Sequence, residues 1–370
     1  MKRILLFASI LLLTVSCGRN SGEFVVKGTI TDSLATAPGA KIVFTLADGA
    51  EESVPIENGK FTFKGKADLE KHYHVTLGFD ETMPFRHNHQ ADFIAEAGTI
   101  RINLDNPPKV RGGKFNKALS DYLGDMDELI NAYNEHAMAL IEKIGKSAAM
   151  ERIIAMQDSV TEVINTRSLE VFRSNPDNVL GAMALSNVIY DITPDELDEC
   201  LGMAADFIKE NPDIQRIKAS KDAYRATSEG SMFSDFAGRD ISGREIKLSD
   251  FVGKGKYTLV DFWASWCGPC KAEIPNIKAV ADKWSHKGLN VVSVAVWDRD
   301  EASRTVIDEL GMDWSQILTE GESSAAESYG IDAIPHLILF APDGRILKRG
   351  LRGEMIDEAV EEALKTGQAL

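Results

Sequence analysis

The chain has 370 residues, 44% hydrophobic and 26% charged, enough for two or three domains whose cores need no disulfide staples. Its 41 lysines and arginines stand against 57 aspartates and glutamates, a formal charge of −16. No basic block interrupts that excess, which excludes nucleic acid as a partner class.

The first residues read as a targeting segment. Lys2 and Arg3 precede the ten-residue apolar run "ILLFASILLL" at 4–13, short for a spanning helix and right for the core of a signal peptide. The run leads into "TVSC", ending at Cys17. This resembles a bacterial lipoprotein signal, with 1–16 removed and the mature chain starting at a lipidated Cys17. Such signals favour leucine three positions before the cysteine; Thr14 stands there, with Leu13 one step earlier. Ordinary secretion with an incidental cysteine is the competing reading, and both export the chain. Residues 17–23 then form a short tether. Without Cys17, the cysteines are Cys200, Cys267 and Cys270. An odd number makes no disulfide framework, and the close pair points to exchange chemistry.

Residues 24–112 read as an all-β module. "FVVKGTI", "KIVFTL", "HYHVTLGF" and "TIRINLD" are strand patterns. Asn58-Gly59 between Val54/Ile56 and Phe61/Phe63 predicts a two-residue hairpin. Several short strands suggest a small sandwich or barrel. The "NGKFTFKG" hairpin followed by "FIAEAGTIRINL" resembles an N-terminal β module often fused to thioredoxin-like domains in envelope lipoproteins, a module without a defined activity. Histidines pair as "HYH" at 72–74 and "HNH" at 87–89. An HxH on a strand puts both rings on one face, but no cysteine or carboxylate completes a ligand set, so no metal is expected.

Residues 113–229 change to helical spacing, as in Leu119, Leu123, Met126, Leu129, Ile130 and Tyr133, which predicts packing against a neighbour. Thr193, Pro194 and Glu196 make a capping box, and "NPD" at 211–213 is a second helix start. Cys200 lies among apolar helical residues and reads as a buried structural thiol.

From 230 to 370 strands and helices alternate. "YTLVDFWA" and "NVVSVAVW" are buried strands, "KAEIPNIKAVADKW" is a helix, "HLILFAP" and "RILKRG" flank the turn "PDG", and "EMIDEAVEEAL" closes the chain. The pattern predicts a sheet covered by helices.

The chemistry-bearing stretch is "VDFWASWCGPC", followed by Pro275 and by "IPH" at 334–336. Cys267 falls between a strand and a helix, where unpaired N–H groups and the helix dipole stabilise a thiolate. Cys270 lies one turn on, on the same face. Gly268 and Pro269 form the intervening turn, and proline is tolerated there because its missing N–H is not needed. Asp261 sits inside an apolar run six residues earlier.

The set resembles the thioredoxin family across about 140 residues, and within it the membrane-tethered TlpA-like thiol-disulfide oxidoreductases of bacterial envelopes. The resemblance implies that Cys267 attacks and Cys270 resolves. Asp261 would be a buried carboxylate taking the proton of Cys270. Pro335 would be a cis-proline that frees the Ile334 backbone to pair with substrate. Trp266 would shield the disulfide and Pro275 would kink the helix. Glu273 would be the acidic residue of a PCxxExP pattern, with a solvated helix position as the alternative. His336 departs from the usual threonine, and "VVSVAVW" lacks a lysine partner for Asp261. No cofactor is implied. Zinc would need a second ligand pair, and a peroxidatic Pro-x-x-x-Thr-x-x-Cys pattern is missing, with Ala264 in the threonine place.

The combined reading is a multidomain chain with an all-β module, a helical segment and a C-terminal thioredoxin-like α/β domain. It exchanges disulfides with envelope proteins as a lipid-anchored reductant supplied by a membrane-embedded electron donor. The alternative is a redox-inert binding protein that keeps the fold as scaffold.

Overall fold

The computed structural model describes residues 22–79, 89–321 and 324–367. Cys17, the signal segment 1–16 and His87 lie outside the described residues. The chain divides into two compact units, 1–192 with 198–210, and 193–197 with 211–370.

The first unit opens with eight strands: β1 (Glu23–Thr29), β2 (Lys41–Leu46), β3 (Glu51–Pro55), β4 (Lys60–Lys66), β5 (Asp68–Gly78), β6 (Gln90–Ala95), β7 (Gly98–Asn103) and β8 (Lys109–Arg111). They form two sheets of order β4-β1-β7-β8 and β3-β2-β5-β6. Alternating side chains from both sheets meet in one core, where Phe24, Phe61 and Phe63 pack with Phe44, Tyr73 and Phe93. The Phe44 and Phe63 rings stack at 4.1 Å. The expected turn is present, with Asn58 and Gly59 at φ 51° and 71° and Glu57 paired to Lys60. The strands beyond it part, however: β3 pairs with β2 and β4 with β1. Longer ladders on either side outcompete the local hairpin.

Helices α1 (Lys114–Ile144), α2 (Lys146–Ser174) and α3 (Val179–Val188) follow, then α4 (Pro194–Met203), α5 (Asp206–Lys209) and α6 (Pro212–Ala226). Gly113 offers no side-chain cap to α1; Glu96, from the β6–β7 turn, accepts the N–H groups of Lys114, Phe115 and Asn116 instead. Asn116, fully buried, exchanges hydrogen bonds with the backbone of Ile94. These bonds fasten the helix to the sheet. The apolar face of α1 is covered only in its first half. Leu119, Tyr122 and Met126 are buried, whereas Ile130 is 47% and Met138 72% exposed. The capping box before α4 is formed by Thr193 and Glu196, and Asn211 caps α6. Cys200 is buried and outside any disulfide.

The second unit takes in α6 and the C-terminal α/β domain. Its elements are β9 (Ala237–Arg239), β10 (Glu245–Lys247), β11 (Tyr257–Trp263), α7 (Gly268–Trp284), β12 (Leu289–Ala295), α8 (Asp300–Leu310), β13 (Ser315–Leu318), α9 (Ser324–Glu327), β14 (His336–Phe340), β15 (Ile346–Leu351) and α10 (Glu354–Gly367). The seven strands run β10-β9-β13-β12-β11-β14-β15, with β11, β12 and β13 parallel. Both faces are covered. Leu259 and Trp263 of β11 face Ile274 and Ile277 of α7 and Val360 of α10, while Val260 and Phe262 meet Phe236, Leu248 and Tyr329. This two-sided burial explains the unbroken apolar strands in the sequence.

Candidate active site

Strand β11 ends in a short loop that turns into α7, and both cysteines sit at that junction. Cys267 is the N-cap of α7, with Gly268 and Pro269 in its first turn. Its sulfur lies 3.1 Å from the backbone nitrogen of Cys270, whose N–H points at it. The two are joined as a disulfide. Cys270 is 1% and Cys267 5% exposed, so attack from outside is possible only at the edge that Cys267 presents. Pro275 lies inside α7.

A second loop closes on the same sulfur. The Ile334–Pro335 bond is cis, and the Ile334 carbonyl oxygen lies 3.8 Å from Cys267 Sγ. Trp266 is 61% exposed and donates its Nε1–H to the carbonyl of Trp297 at 3.0 Å. Its indole is therefore held on the surface beside the disulfide loop.

Asp261 shares the sheet face of Leu259 and Trp263, the face covered by α7. It is 1% exposed. Its Oδ2 accepts a hydrogen bond from Ser293, directly across on β12, at 3.2 Å. Ser293 in turn accepts from the Trp314 indole at 2.9 Å. Oδ1 has no hydrogen-bond partner. Burial therefore dominates, pushing the carboxyl from 3.8 up to about 7. The Ser293 bond opposes that rise, the negative charge of Glu273 adds to it, and Arg352 works against it. Ser293 thus stands on the strand where the sequence lacks a lysine, backed by Trp314 from the loop before β13.

Glu273 is a buried strut rather than a solvated helix residue. It is 9% exposed, and its Oε1 accepts from the Gly353 N–H at 2.9 Å and from Asn276 at 2.7 Å. It thereby ties α7 to the turn before α10. His336, after the cis-proline, is half-buried near Arg349, whose Nη2 lies 3.5 Å from His336 Nε2. Burial first, then the charges of Arg349 and Arg352, lower its pKa to about 4, so the ring is neutral at pH 7.

Sequence reading missed Asp298. Its carboxylate accepts from Ser265 N–H at 2.6 Å, Ser265 Oγ at 3.0 Å, Arg299 N–H at 2.9 Å and Ser303 Oγ at 2.7 Å. It fixes the loop ahead of Cys267 to the start of α8. Its place just before that helix is a local signal; its reach to Ser265 is not.

The domain of unknown function DUF4369 matches residues 24–119, and the AhpC/TSA family matches residues 230–349. The thiol-disulfide oxidoreductase ResA of Bacillus thuringiensis subsp. konkukian is 28% identical over 136 residues, 37% of this chain and 76% of the relative. The ResA of Bacillus subtilis is 30% identical over 121 residues, 33% of this chain and 66% of the relative. A solved thioredoxin domain of a thiol-disulfide oxidoreductase from Bacteroides vulgatus is 34% identical, covering 36% of this chain and 96% of that one, with a TM-score of 0.35. The C-terminal domain is thioredoxin-like in fold and is similar to these thiol-disulfide oxidoreductases.

Among the described residues no group of three or more His, Cys, Asp or Glu side chains is placed to hold a metal. His74 is paired to Asp92 at 3.0 Å. His89 is buried between the Leu104 carbonyl and Asp32. No helix among the described residues is long and apolar enough to cross a membrane.

Proposed function

We propose that the protein reduces disulfides in proteins of the cell envelope. The observation that carries this reading is the Cys267–Cys270 disulfide at the mouth of α7, with the Ile334 carbonyl 3.8 Å from one sulfur. Buried Asp261 on the covered sheet face supports it.

In the reduced enzyme the Cys267 thiolate, stabilised by the helix N-terminus, attacks one sulfur of a substrate disulfide. A mixed disulfide forms and the first substrate sulfur leaves as a thiolate. Asp261 then takes the proton of Cys270, directly or through water; a carboxyl titrating near neutral pH suits that exchange. The Cys270 thiolate attacks Cys267 Sγ and releases the second substrate sulfur. Two electrons have passed to the substrate, and the enzyme is left oxidised. The Ile334 backbone, turned by Pro335, lies where an extended substrate segment can pair with it. Trp266 flanks the opening, and Glu273 keeps α7 seated.

The Gly-Pro dipeptide resembles that of reducing thioredoxins and supports this direction. Renewed turnover requires a dithiol donor, which we assign to a membrane-embedded protein. Lipid at Cys17 would hold the enzyme beside that donor. Mass spectrometry of the native protein tests the lipid, and an unmodified Cys17 overturns the anchor while leaving export standing.

The decisive experiment compares Cys270→Ala with Cys267→Ala on non-reducing gels of envelope extracts. Cys270→Ala is expected to accumulate adducts that dithiothreitol dissolves, and Cys267→Ala few or none. Equal trapping by both variants overturns the assignment of roles. No trapping by either, with no turnover by wild type, favours the redox-inert binding protein. Equilibration against glutathione reads the direction: a potential near about −270 mV fits a reductant and one near about −120 mV reverses it.

A further inference from the structure

A basic surface exists that no run of the sequence contains. Strands β4, β1, β7 and β8 turn alternate side chains to solvent, and apart from Glu23 the charged outward positions are all cationic. In register, Lys27 of β1 lies directly beside Arg101 of β7, and Arg101 beside Arg111 of β8. The next row places Thr29 between Lys60 and Asn103, and Asn103 beside Lys109. All five cations are exposed and line a shallow depression of about 710 Å³. Lys64 and Lys66 continue the exposed edge along β4.

This arrangement costs the fold something. Like charges directly opposite on neighbouring strands are destabilising, and the rest of the chain has carboxylates to spare. Yet among the described residues none of the five cations of the depression has an ion-pair partner. Asp105, at the end of the depression, is already occupied by the Thr31 N–H and the Asn103 amide. A surface that only needed solubility would mix its signs.

We propose that the outer face of this sheet is a docking surface for the anionic headgroups of a phospholipid membrane. The face is open and spans four strands, about 15 Å across at the usual strand spacing. Its remaining outward side chains are Thr, Val25, Asn103 and Glu23, with no aromatic ring among them. Recognition of a base in a single-stranded nucleic acid relies on such rings. An array of cations without them suits many phosphates at once. The screening length at physiological salt is about 8 Å, so the acidic remainder of the chain does not cancel the field at contact. The position of the face rests on the envelope reading above: β1 begins six residues after Cys17, a reach of at most about 20 Å. A lipid there would leave the sheet within one tether of the bilayer.

The test uses the chain from Gly18 onward, which keeps every described residue and carries no lipid. It is sedimented with vesicles of phosphatidylcholine alone and of phosphatidylcholine with phosphatidylglycerol. Binding is expected only to the anionic vesicles, falling at least about tenfold between roughly 0.05 M and 0.5 M salt. The triple variant Lys27→Gln/Arg101→Gln/Arg111→Gln is expected to bind at least about tenfold more weakly, with its circular dichroism and disulfide turnover unchanged. Lys143→Gln/Lys146→Gln/Arg152→Gln removes the same charge from exposed positions of α1 and α2 and is expected to bind like the parent. Equal binding to both vesicle types, or full retention by the first triple variant, overturns the proposal. So does calorimetric binding of inorganic tripolyphosphate without vesicle binding, which would mark a site for soluble polyanions. The assay needs neither Cys17 nor the active-site pair, so its failure leaves disulfide exchange untouched, and failed trapping leaves this result intact.

Discussion

Strand β4 alternates strictly, with Phe61 and Phe63 buried and Lys60, Thr62 and Lys64 in water. Strand β11 does not alternate at all, since every residue from Thr258 to Trp263 is buried. The first belongs to a sandwich sheet that keeps one hydrated face. The second lies between two helical layers. The difference decides where chemistry can be housed. A charged side chain on the sandwich turns outward and stays hydrated, so the sandwich collects surface charge. Asp261 has no outward side to turn to, and the sheet raises its pKa instead. The same contrast separates a surface suited to binding from a centre suited to proton transfer.

The sharpest way to break this contrast is to damage the sandwich core and watch the other unit. Phe44 is fully buried and touches Phe61, Phe63 and Phe93. Phe44→Ala is expected to lower the stability of the first unit by roughly 3–5 kcal/mol, read by chemical denaturation. Disulfide exchange measured below the unfolding transition should keep its rate constants. A slowed exchange step in still-folded protein would show that the sandwich contributes to the chemistry.

Asp261→Asn tests the buried side. In the folded protein this carboxyl holds its proton up to about pH 7, whereas in the unfolded chain it ionises near 3.8. Between those values the folded state binds the extra proton, so its contribution to stability falls as pH rises through the window and levels off above it. About three pH units at 1.36 kcal/mol each make a penalty of about 4 kcal/mol at pH 8. The variant should recover up to that amount at pH 8 and little at pH 4, by guanidinium unfolding of the oxidised form. Stopped-flow reduction of a model disulfide should show slower resolution at neutral pH. An unchanged pH profile would remove Asp261 from the mechanism.

Asp298→Ala should cost roughly 1–3 kcal/mol, because it strands the N–H groups of Ser265 and Arg299. Faster amide exchange at Ser265 is the accompanying sign, and full protection there would show that the loop holds itself. The last effect belongs to His336. Its folded pKa of about 4 lies below the ordinary 6.5, so the unfolded chain takes the proton first as pH falls. Its contribution to stability is present above about pH 6.5 and is lost on the way down to about pH 4. His336→Gln should flatten that acid limb, which the opposite slope of Asp261 partly hides in the wild type. A variant whose stability between pH 4 and 6.5 matches the wild type would place the imidazole in water.

What the sequence alone carries follows from chain neighbourhood. Cys267 and Cys270 stand one turn apart at a strand-to-helix junction, and a few residues of pattern are enough to read it. Asp261 was legible for a similar reason, since a carboxylate inside an apolar run has few places to go. Pro335 needed the family resemblance, because nothing local to "IPH" points to a sulfur 68 residues upstream in the chain. The partners of these residues were not legible. Ser293 reaches Asp261 through the pairing of β11 with β12, and Trp314 reaches Ser293 from the loop before β13. Glu273 meets Gly353 through the packing of α7 near α10. Asp298 meets Ser265 across 33 residues. The basic face is the extreme case: Lys27, Arg101 and Arg111 are scattered singly along an acidic chain, and only strand register sets them side by side. Spacing along the chain determines helical turns and strand faces, because those are local geometry. Which strands pair, and in what register, is settled by long-range burial, and the partners of a buried or clustered charge appear only once that burial is complete.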